Sequence, residues 1–507
     1  MARSPARSTT LDPPVEGWDT REALSDMPEK RAVILENWFP DTDKVTVRSG
    51  YSSHATGLPD DVETILEYTG VDGTAEIFAV SDGGIYDVSS AGAVGAAAVS
   101  GLTNSRFQQT QIGTAGGQFL FIVNGADAPR SYDGSSWATP SLSASGFTAA
   151  NVIWCNLHQR RLWMGEKDSL SAWYLPVNSI SGTPVVFSFA GLAKLGGYIM
   201  AMGTWTRDGG DGQDDVAVFI TSEGEVLIYE GTDPSSASTW GLVGVFRIGR
   251  PIGRRCMIKA GGDLVIVTQD GFIPMSASLI RDRSQAELVA LSQQINKAVN
   301  DAVRDHATKF GWQPFSYPEG KQMIFNIPQG NDEYDQFVFN TLTGAPCRFT
   351  GINAICWGLK GSAAYFGAPG GIVYKYDDGT SDAGTNIVYD ALQAFNYFGS
   401  KARKKGFKEV EPIFQSNGNP GVAIDLNLDF QIKAFQGVTA ASPSSAATWG
   451  VSKWGIGTWG GADQVYRGWR GVRGVGRAAA IRVRGATTGP RPSWLATNYK
   501  YIPAGIM

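Results

Sequence analysis

Three histidines, His54, His158 and His306, are the only imidazoles in the 507 residues. A zinc site needs such ligands at close, regular spacing, and these are too far apart to form an H-x-x-x-H pair. The four cysteines, Cys155, Cys256, Cys347 and Cys356, fall at no C-x-x-C spacing and are too few for a disulfide framework. Reduced, buried thiols are expected. No G-x-S-x-G elbow and no Walker loop is present. Gly455, Gly457 and Gly460 do spell G-x-G-x-x-G. They lie between tryptophans, with no strand before and no helix after, so the match implies no dinucleotide. Asp208, Asp211, Asp214 and Asp215 could present oxygens to calcium, but not at EF-hand spacing. A solvated hairpin loop is the reading there. No catalytic, cofactor-binding or metal-binding residue is assigned, and the chain is expected not to be an enzyme.

One near-match concerns glycans. Ser131-Tyr132-Asp133-Gly134-Ser135-Ser136-Trp137 is one residue short of the Asp box found in sialidase-type propellers. Glycoside hydrolysis needs two carboxylates flanking a cleft, and no pair stands out. A glycan-binding or glycan-degrading propeller is therefore the alternative function.

The remaining chemistry is charge. The formal net charge is -5, but its distribution is uneven. From Lys401 onward 15 Lys and Arg face five Asp and Glu, so the rest of the chain is near -15. Arg467, Arg470, Arg473, Arg477, Arg482 and Arg484 sit in a Gly-rich run. Guanidinium groups in such a run suit carboxylates or phosphates. Just before it, Trp449, Trp454 and Trp459 are each followed by glycine, at a period of five that fits neither helix nor strand. Their indoles are expected to dock on a surface. These nine residues are the candidate interface to another subunit or a partner.

Elements must position them. Sixty-three glycines, 43% hydrophobic and only 18% charged residues exclude bulk disorder and point to many tight turns between packed strands. From about 64 to 378, an apolar strand, a Gly/Asp/Asn turn and an aromatic-bearing strand recur. The turns fall near 84, 125, 168, 224, 271, 330 and 370, a blade-sized period. Stacking such units radially buries both faces of each sheet and leaves only short edges. An all-β fold is expected: an irregular β-propeller of six or seven blades over 61–384. Two ordinary β-sandwiches would carry the same hairpins. Residues 1–20 read as a mobile arm and 21–60 as strands joining a platform. Residues 385–507 read as a basic C-terminal β platform. One helix, over about 284–306, is expected from Ser284 and Glu287 at capping-box spacing and from Leu288, Leu291, Ile295, Val299 and Val303. No run of 18 apolar residues offers a membrane span.

The segment Ala32-Val33-Ile34-Leu35-Glu36-Asn37-Trp38-Phe39-Pro40, followed by Val47-Arg48-Ser49-Gly50-Tyr51, resembles the N-terminal signature of tail nozzle (hub) proteins of short-tailed bacteriophages. Phe395–Gly399, Lys408–Phe414, Gly418-Asn419-Pro420, Leu426–Phe430, the Trp-Gly repeats and Trp494–Tyr501 are similar to that family's C-terminal domain. Packaged-DNA stabilisation hub proteins are the nearest named variant. The resemblance implies a homohexameric ring below the portal and its head-to-tail adaptor, carrying tail fibres or spikes. Double-stranded DNA would be retained in its channel and pass through without sequence specificity. It implies synthesis in the host cytoplasm and residence in the virion tail. The shared motifs are structural, so no gate residue transfers.

Overall fold

Seven small sheets follow one another between Thr64 and Tyr376. A computed structural model of the chain describes residues 5–206, 215–278, 290–434 and 463–503. Blade I is Thr64–Thr69, Ala75–Ser81 and Gly84–Asp87, with Val99 bridging to Ile85. Blade II spans Gln108–Ala138, blade III Val152–Ser188 and blade IV Ile199–Arg247, each a four-stranded antiparallel meander. Blade V has three strands, Met257–Ala260, Asp263–Thr268 and Gly271–Pro274. Blade VI runs from Gln313 to Phe349 and blade VII from Cys356 to Tyr376. The fold is a β-propeller, as the spacing of the turns implied, and of the six or seven blades expected it has seven.

The first strands of the blades surround the axis. They diverge too far for a continuous backbone ladder, and side-chain amides take its place. A primary amide carries both a donor and an acceptor, as a peptide unit does. Gln109 of blade II accepts from the Glu67 amide at 2.8 Å and donates to the Ile65 carbonyl at 3.2 Å, both in blade I. Gln111 accepts from and donates to the backbone of Thr69 in the same way. Gln313 of blade VI pairs both its groups with Trp357 of blade VII at 3.1 Å. Asn156 of blade III donates to the Met202 carbonyl of blade IV at 2.7 Å. Glu67 closes the circle, accepting from the Leu359 amide of blade VII at 2.8 Å. Burial raises the Glu67 carboxyl to about 7, only partly offset by that bond.

The chain closes the propeller with an N-terminal strand. Tyr51–Thr56 pairs antiparallel with Ile372–Tyr376 as the fourth strand of blade VII. The boundary expected at 60 therefore moves: residues 51–56 belong to the propeller. The segments on either side of the propeller build the platform from two sheets. One combines Trp38–Pro40, Val45–Val47, Lys405–Ser416, Gln464–Arg467, Arg470–Gly476 and Ser493–Pro503. The other combines Ala32–Glu36, Ile387–Gln393, Ala423–Leu428 and Ala479–Thr487, and continues into blade VI where Glu36 pairs in parallel with Arg348. Buried Trp38 of the first sheet meets Tyr389 of the second edge-on at 5.1 Å and stacks near Phe414 and Trp494.

Two expectations change. Arg7–Leu11, placed in the mobile arm, is a strand paired with Thr497–Tyr501, because the platform edge offers it unpaired backbone groups. The helix runs only from Asn296 to His306, and the Ser284–Glu287 capping box lies outside the described residues. Leu291 precedes it in a turn and is exposed, while Ile295, Val299 and Ala302 are buried.

A buried polar knot also joins propeller and platform. Arg48 donates to both carboxylate oxygens of Asp382 at 2.8 and 2.6 Å, and its side chain is 1% exposed. It also donates to Asn37 Oδ1 at 2.8 Å and to the Thr350 carbonyl at 2.9 Å. Asn37, at φ 59°, fills all four amide positions: it accepts from Arg48 and the Thr350 amide and donates to Thr350 Oγ1 and the Val388 carbonyl. Gly50 runs so close to the Ser381 backbone that any Cβ would collide with it.

Removing one partner of a buried ion pair strands the other. Arg48→Met is therefore expected to lower unfolding free energy by about 3–5 kcal/mol, read by urea denaturation. A loss under about 1 kcal/mol would show that the knot is dispensable. For Glu67, the folded pKa lies above the usual 4.5, so its contribution is full below that value. It is lost as pH rises through about 7. Glu67→Gln should flatten that part of the stability–pH profile, by on the order of 1 kcal/mol between pH 5 and 8. An unchanged slope would assign the pH dependence elsewhere.

Candidate functional site

The candidate interface arginines divide into two groups according to their strands. Arg482 and Arg484 lie on Ala479–Thr487, an interior strand of the second platform sheet, whose neighbour Ile387–Gln393 carries Asp390. Arg482 makes a bidentate contact to Asp390 at 2.9 and 2.6 Å, with side-chain exposures of 12% and 6%. Arg484 reaches the same carboxylate at 3.7 Å. These two arginines hold the chain to itself. Arg470 is exposed but donates to the Val422 carbonyl at 2.6 Å.

Arg467, Arg473 and Arg477 behave differently. Arg467 and Arg473 belong to Gln464–Arg467 and Arg470–Gly476, which among the described residues pair only with Lys405–Ser416 and form the rim of the first platform sheet. All three arginines are exposed, and none has an ion-pair partner among the described residues. The same rim exposes Val465 at 60%, Val475 at 62% and Trp469 at 46%. The Lys500 ammonium sits 5.8 Å from the Trp469 ring and pairs with Glu409 at 2.8 Å. An open strand edge with exposed apolar side chains and unpaired guanidinium groups is what a docking surface for an acidic partner requires. Trp449, Trp454 and Trp459, with Gly455, Gly457 and Gly460, lie outside the described residues.

Sequence reading placed the acidic excess before Lys401 without localising it to particular blades. Between Asp60 and Ala138, which covers blades I and II, there are ten Asp and Glu and only two arginines. Composition alone contained this signal, had charge been summed blade by blade. Sequence reading missed the knot at Arg48, because a motif does not announce which distant carboxylate it will meet.

Other chemistry-bearing residues take structural roles. Asp133 folds its hairpin turn, accepting from Ser135 and Ser136, and the Ser136 amide bond leads the causes that hold its carboxyl down at about 2. The Asp-box likeness is thus a turn whose carboxylate is already engaged. His54 bonds the Val88 carbonyl at 2.8 Å, and His158 bonds Thr204 Oγ1 at 3.2 Å. Burial, aided by nearby Lys259, drops His158 to about 4. The four cysteines are free and buried, and burial pushes the Cys256 and Cys356 thiols up to about 12. Among the described residues no cluster of His, Cys, Asp and Glu is arranged to hold a metal, and no helix is long and apolar enough to cross a membrane.

No protein-family model matches the chain, and no curated protein matches it. Solved structures similar to it include β-propeller domains. They include the WD40 β-propeller domain of Doa1, at 12% identity and TM-score 0.39 over 65% of this chain and 97% of that one. BBS1N in complex with ARL6DN is similar at 9% identity and TM-score 0.42, over 66% and 100%. YCF48 from Cyanidioschyzon merolae is similar at 12% identity and TM-score 0.38, over 65% and 98%.

The division of the arginines is testable by stability alone. Arg482→Ala should lower unfolding free energy by roughly 2–3 kcal/mol, because Asp390 stays buried. Arg473→Ala should change it by less than about 0.5 kcal/mol. Equal losses in urea titrations would contradict the assignment of Arg473 to a free rim.

Proposed function

We propose that the chain is a non-enzymatic structural subunit of a phage tail nozzle, assembled as a ring below the portal and adaptor. In this role it retains packaged DNA and conducts it on ejection. The resemblance of the entry and C-terminal segments supplies the family. The observation that carries the reading is the platform rim, where Arg467, Arg473 and Arg477 are exposed without an ion-pair partner among the described residues, on the same rim as Val465, Trp469 and Val475. Blades I and II bear the opposite sign. A surface patch of one sign and a separate patch of the other suit a heterologous, head-to-tail interface, the kind that closes into a ring.

The residues behind the resemblance also have a structural meaning that suits such a part. Asn37, Arg48 and Gly50 form the knot that sets the propeller against the platform. A ring subunit must hold that relation while its platform faces neighbours. In this reading the DNA path lies between copies and not along the propeller axis. Arg255, from the loop before blade V, crosses the axis and bonds Thr64 of blade I, Phe107 at the entry to blade II and Gln313 of blade VI. The rim arginines face a neighbouring copy or the adaptor. Tight phosphate contacts in a bore would slow ejection.

Light scattering on the purified chain, with and without the portal–adaptor complex, tests the proposal. The expected result is a ring-sized species that the complex promotes and that about 0.5 M salt weakens. Arg467→Glu with Arg473→Glu should reduce assembly at least about tenfold while leaving thermal unfolding of the monomer within a few degrees. A chain that stays monomeric and ignores the portal–adaptor complex would refute the nozzle reading.

A further inference from the structure

The acids of blades I and II divide between the two ends of the propeller. Antiparallel strands alternate in direction, so the turns after the first and third strands of a blade share one end. The entry to the blade and the turn after its second strand share the other. In blade I, Asp72 lies in the turn after the first strand, Glu76 stands opposite Tyr68 near the start of the second, and Asp87 closes the third. In blade II, Asp133 lies in the turn after the third strand. The two blades meet here. The Tyr68 and Tyr132 rings touch edge-on at 5.1 Å, and a Cβ on Gly134 would come within 2.6 Å of the Tyr68 hydroxyl. Burial raises both tyrosine hydroxyls above their usual range; Glu76, Asp133 and Asp72 add to this at Tyr68, and Glu76 and Asp87 at Tyr132. These carboxylates therefore surround one pair of rings.

Only neutral donors serve them. Asp72 accepts from the Thr74 amide at 3.0 Å and its hydroxyl at 2.8 Å, Asp87 from the Ser89 amide at 2.8 Å, and Asp133 from Ser135 and Ser136. Among the described residues no ion pair reaches any of them, and Glu76 Oε2 is buried with no hydrogen-bond partner. Apolar surface lies beside the charge. Val71, in the same turn as Asp72, is 80% exposed, the most of any large apolar side chain among the described residues. Half-buried Trp137 packs on Tyr132 and Phe78 at 5.1 and 5.3 Å, and its indole N–H has no acceptor. At the other end the acids are answered: Glu63 pairs with Arg106 at 2.9 Å, and Asp60, Asp61 and Asp82 share a cavity of about 740 Å³ with Arg254 and Lys309. Carboxylates gathered without a counter-charge repel one another, and an orphaned buried oxygen is costly until a donor reaches it. The platform rim has the inverse composition, with Arg467, Arg473 and Arg477 exposed on the same edge as Val465, Trp469 and Val475. Residues 435–462, which precede that rim in the chain, contain no Asp or Glu to neutralise it.

We propose that the end of blades I and II bearing Asp72, Glu76, Asp87 and Asp133 receives the platform rim of a second copy of this chain. The rim arginines meet these carboxylates, and Val71 and Trp137 meet the apolar side chains of the rim. A guanidinium group suits this place because it bonds carboxylates through several N–H groups and lies well against an aromatic ring. The inference rests on the head-to-tail ring and adds which end of the propeller faces the neighbour. Light scattering of the full chain tests it. Asp72→Lys with Asp87→Lys should weaken assembly at least about tenfold, and Asp72→Asn with Asp87→Asn, which keeps acceptors for the turn amides, by about threefold. A chain combining Asp72→Lys and Asp87→Lys with Arg467→Glu and Arg473→Glu again has opposite signs across the contact. It should assemble at least about tenfold better than either double charge reversal. Asp60→Lys with Asp82→Lys makes the same charge change at the other end and should leave assembly within about twofold. Thermal unfolding of each variant checks that it is folded. A ring that the rim reversal weakens and the Asp72 and Asp87 variants spare would overturn this inference and leave the nozzle reading standing. Equal weakening by Asp60→Lys with Asp82→Lys, or no rescue in the combined chain, would overturn it too. An unsubstituted chain that never assembles, with or without the portal–adaptor complex, would refute both.

Discussion

The bidentate bond between Arg48 and Asp382 is the contact on which the two halves of this protein depend. It is buried and satisfied on every side, and its partners come from widely separated stretches of chain. Asn37 and Arg48 enter from the first platform strands, Thr350 from the end of blade VI and Asp382 from the turn after blade VII. A charge cannot be left alone in such a place. The knot therefore either forms as a whole or not at all, and it makes the orientation of propeller and platform discrete. The parallel pairing of Glu36 with Arg348 and the closing strand Tyr51–Thr56 start or end beside it.

Ring closure follows a second constraint. Seven blades splay their inner strands apart, and the peptide groups there need partners. Gln109, Gln111, Asn156 and Gln313 provide them with amides that mimic a strand, and Glu67 contributes a carboxyl in the same geometry. The outer parts of the blades are held by apolar and aromatic packing, as where Trp163 and Tyr229 both stack on Trp240 at 5.6 Å. The axis is thus polar and the flanks are apolar.

Charge also organises the exterior. The pairing of Arg482 and Arg484 with Asp390 spends part of the basic excess inside the platform, and the rim keeps the rest. A summed count over the C-terminal fifth treats these arginines alike. The fold separates them because alternate positions on an interior strand face a buried carboxylate, whereas strands at a sheet edge face outward.

The sequence by itself determined the all-β class, the blade-sized repeat and the division into propeller and platform. These are local properties: turn residues such as Asp82-Gly83-Gly84 and alternating runs such as Val422–Phe430 encode them over a few positions. It also determined the buried state of the four thiols, since nothing near them in the chain offered a partner. Only the tertiary structure decided the count of seven, the strand formed by Arg7–Leu11, the start of the helix at Asn296 and the split among the arginines. The strand and the arginine split rest on contacts between residues distant in the chain, 92 positions apart for Arg482 and Asp390 and far more for Leu11 and Thr497. Arg48 meets Asp382, and Leu11 pairs with Thr497, only in the folded chain. No local pattern carries the position of such a partner, because loop closure, and not spacing, brings it there.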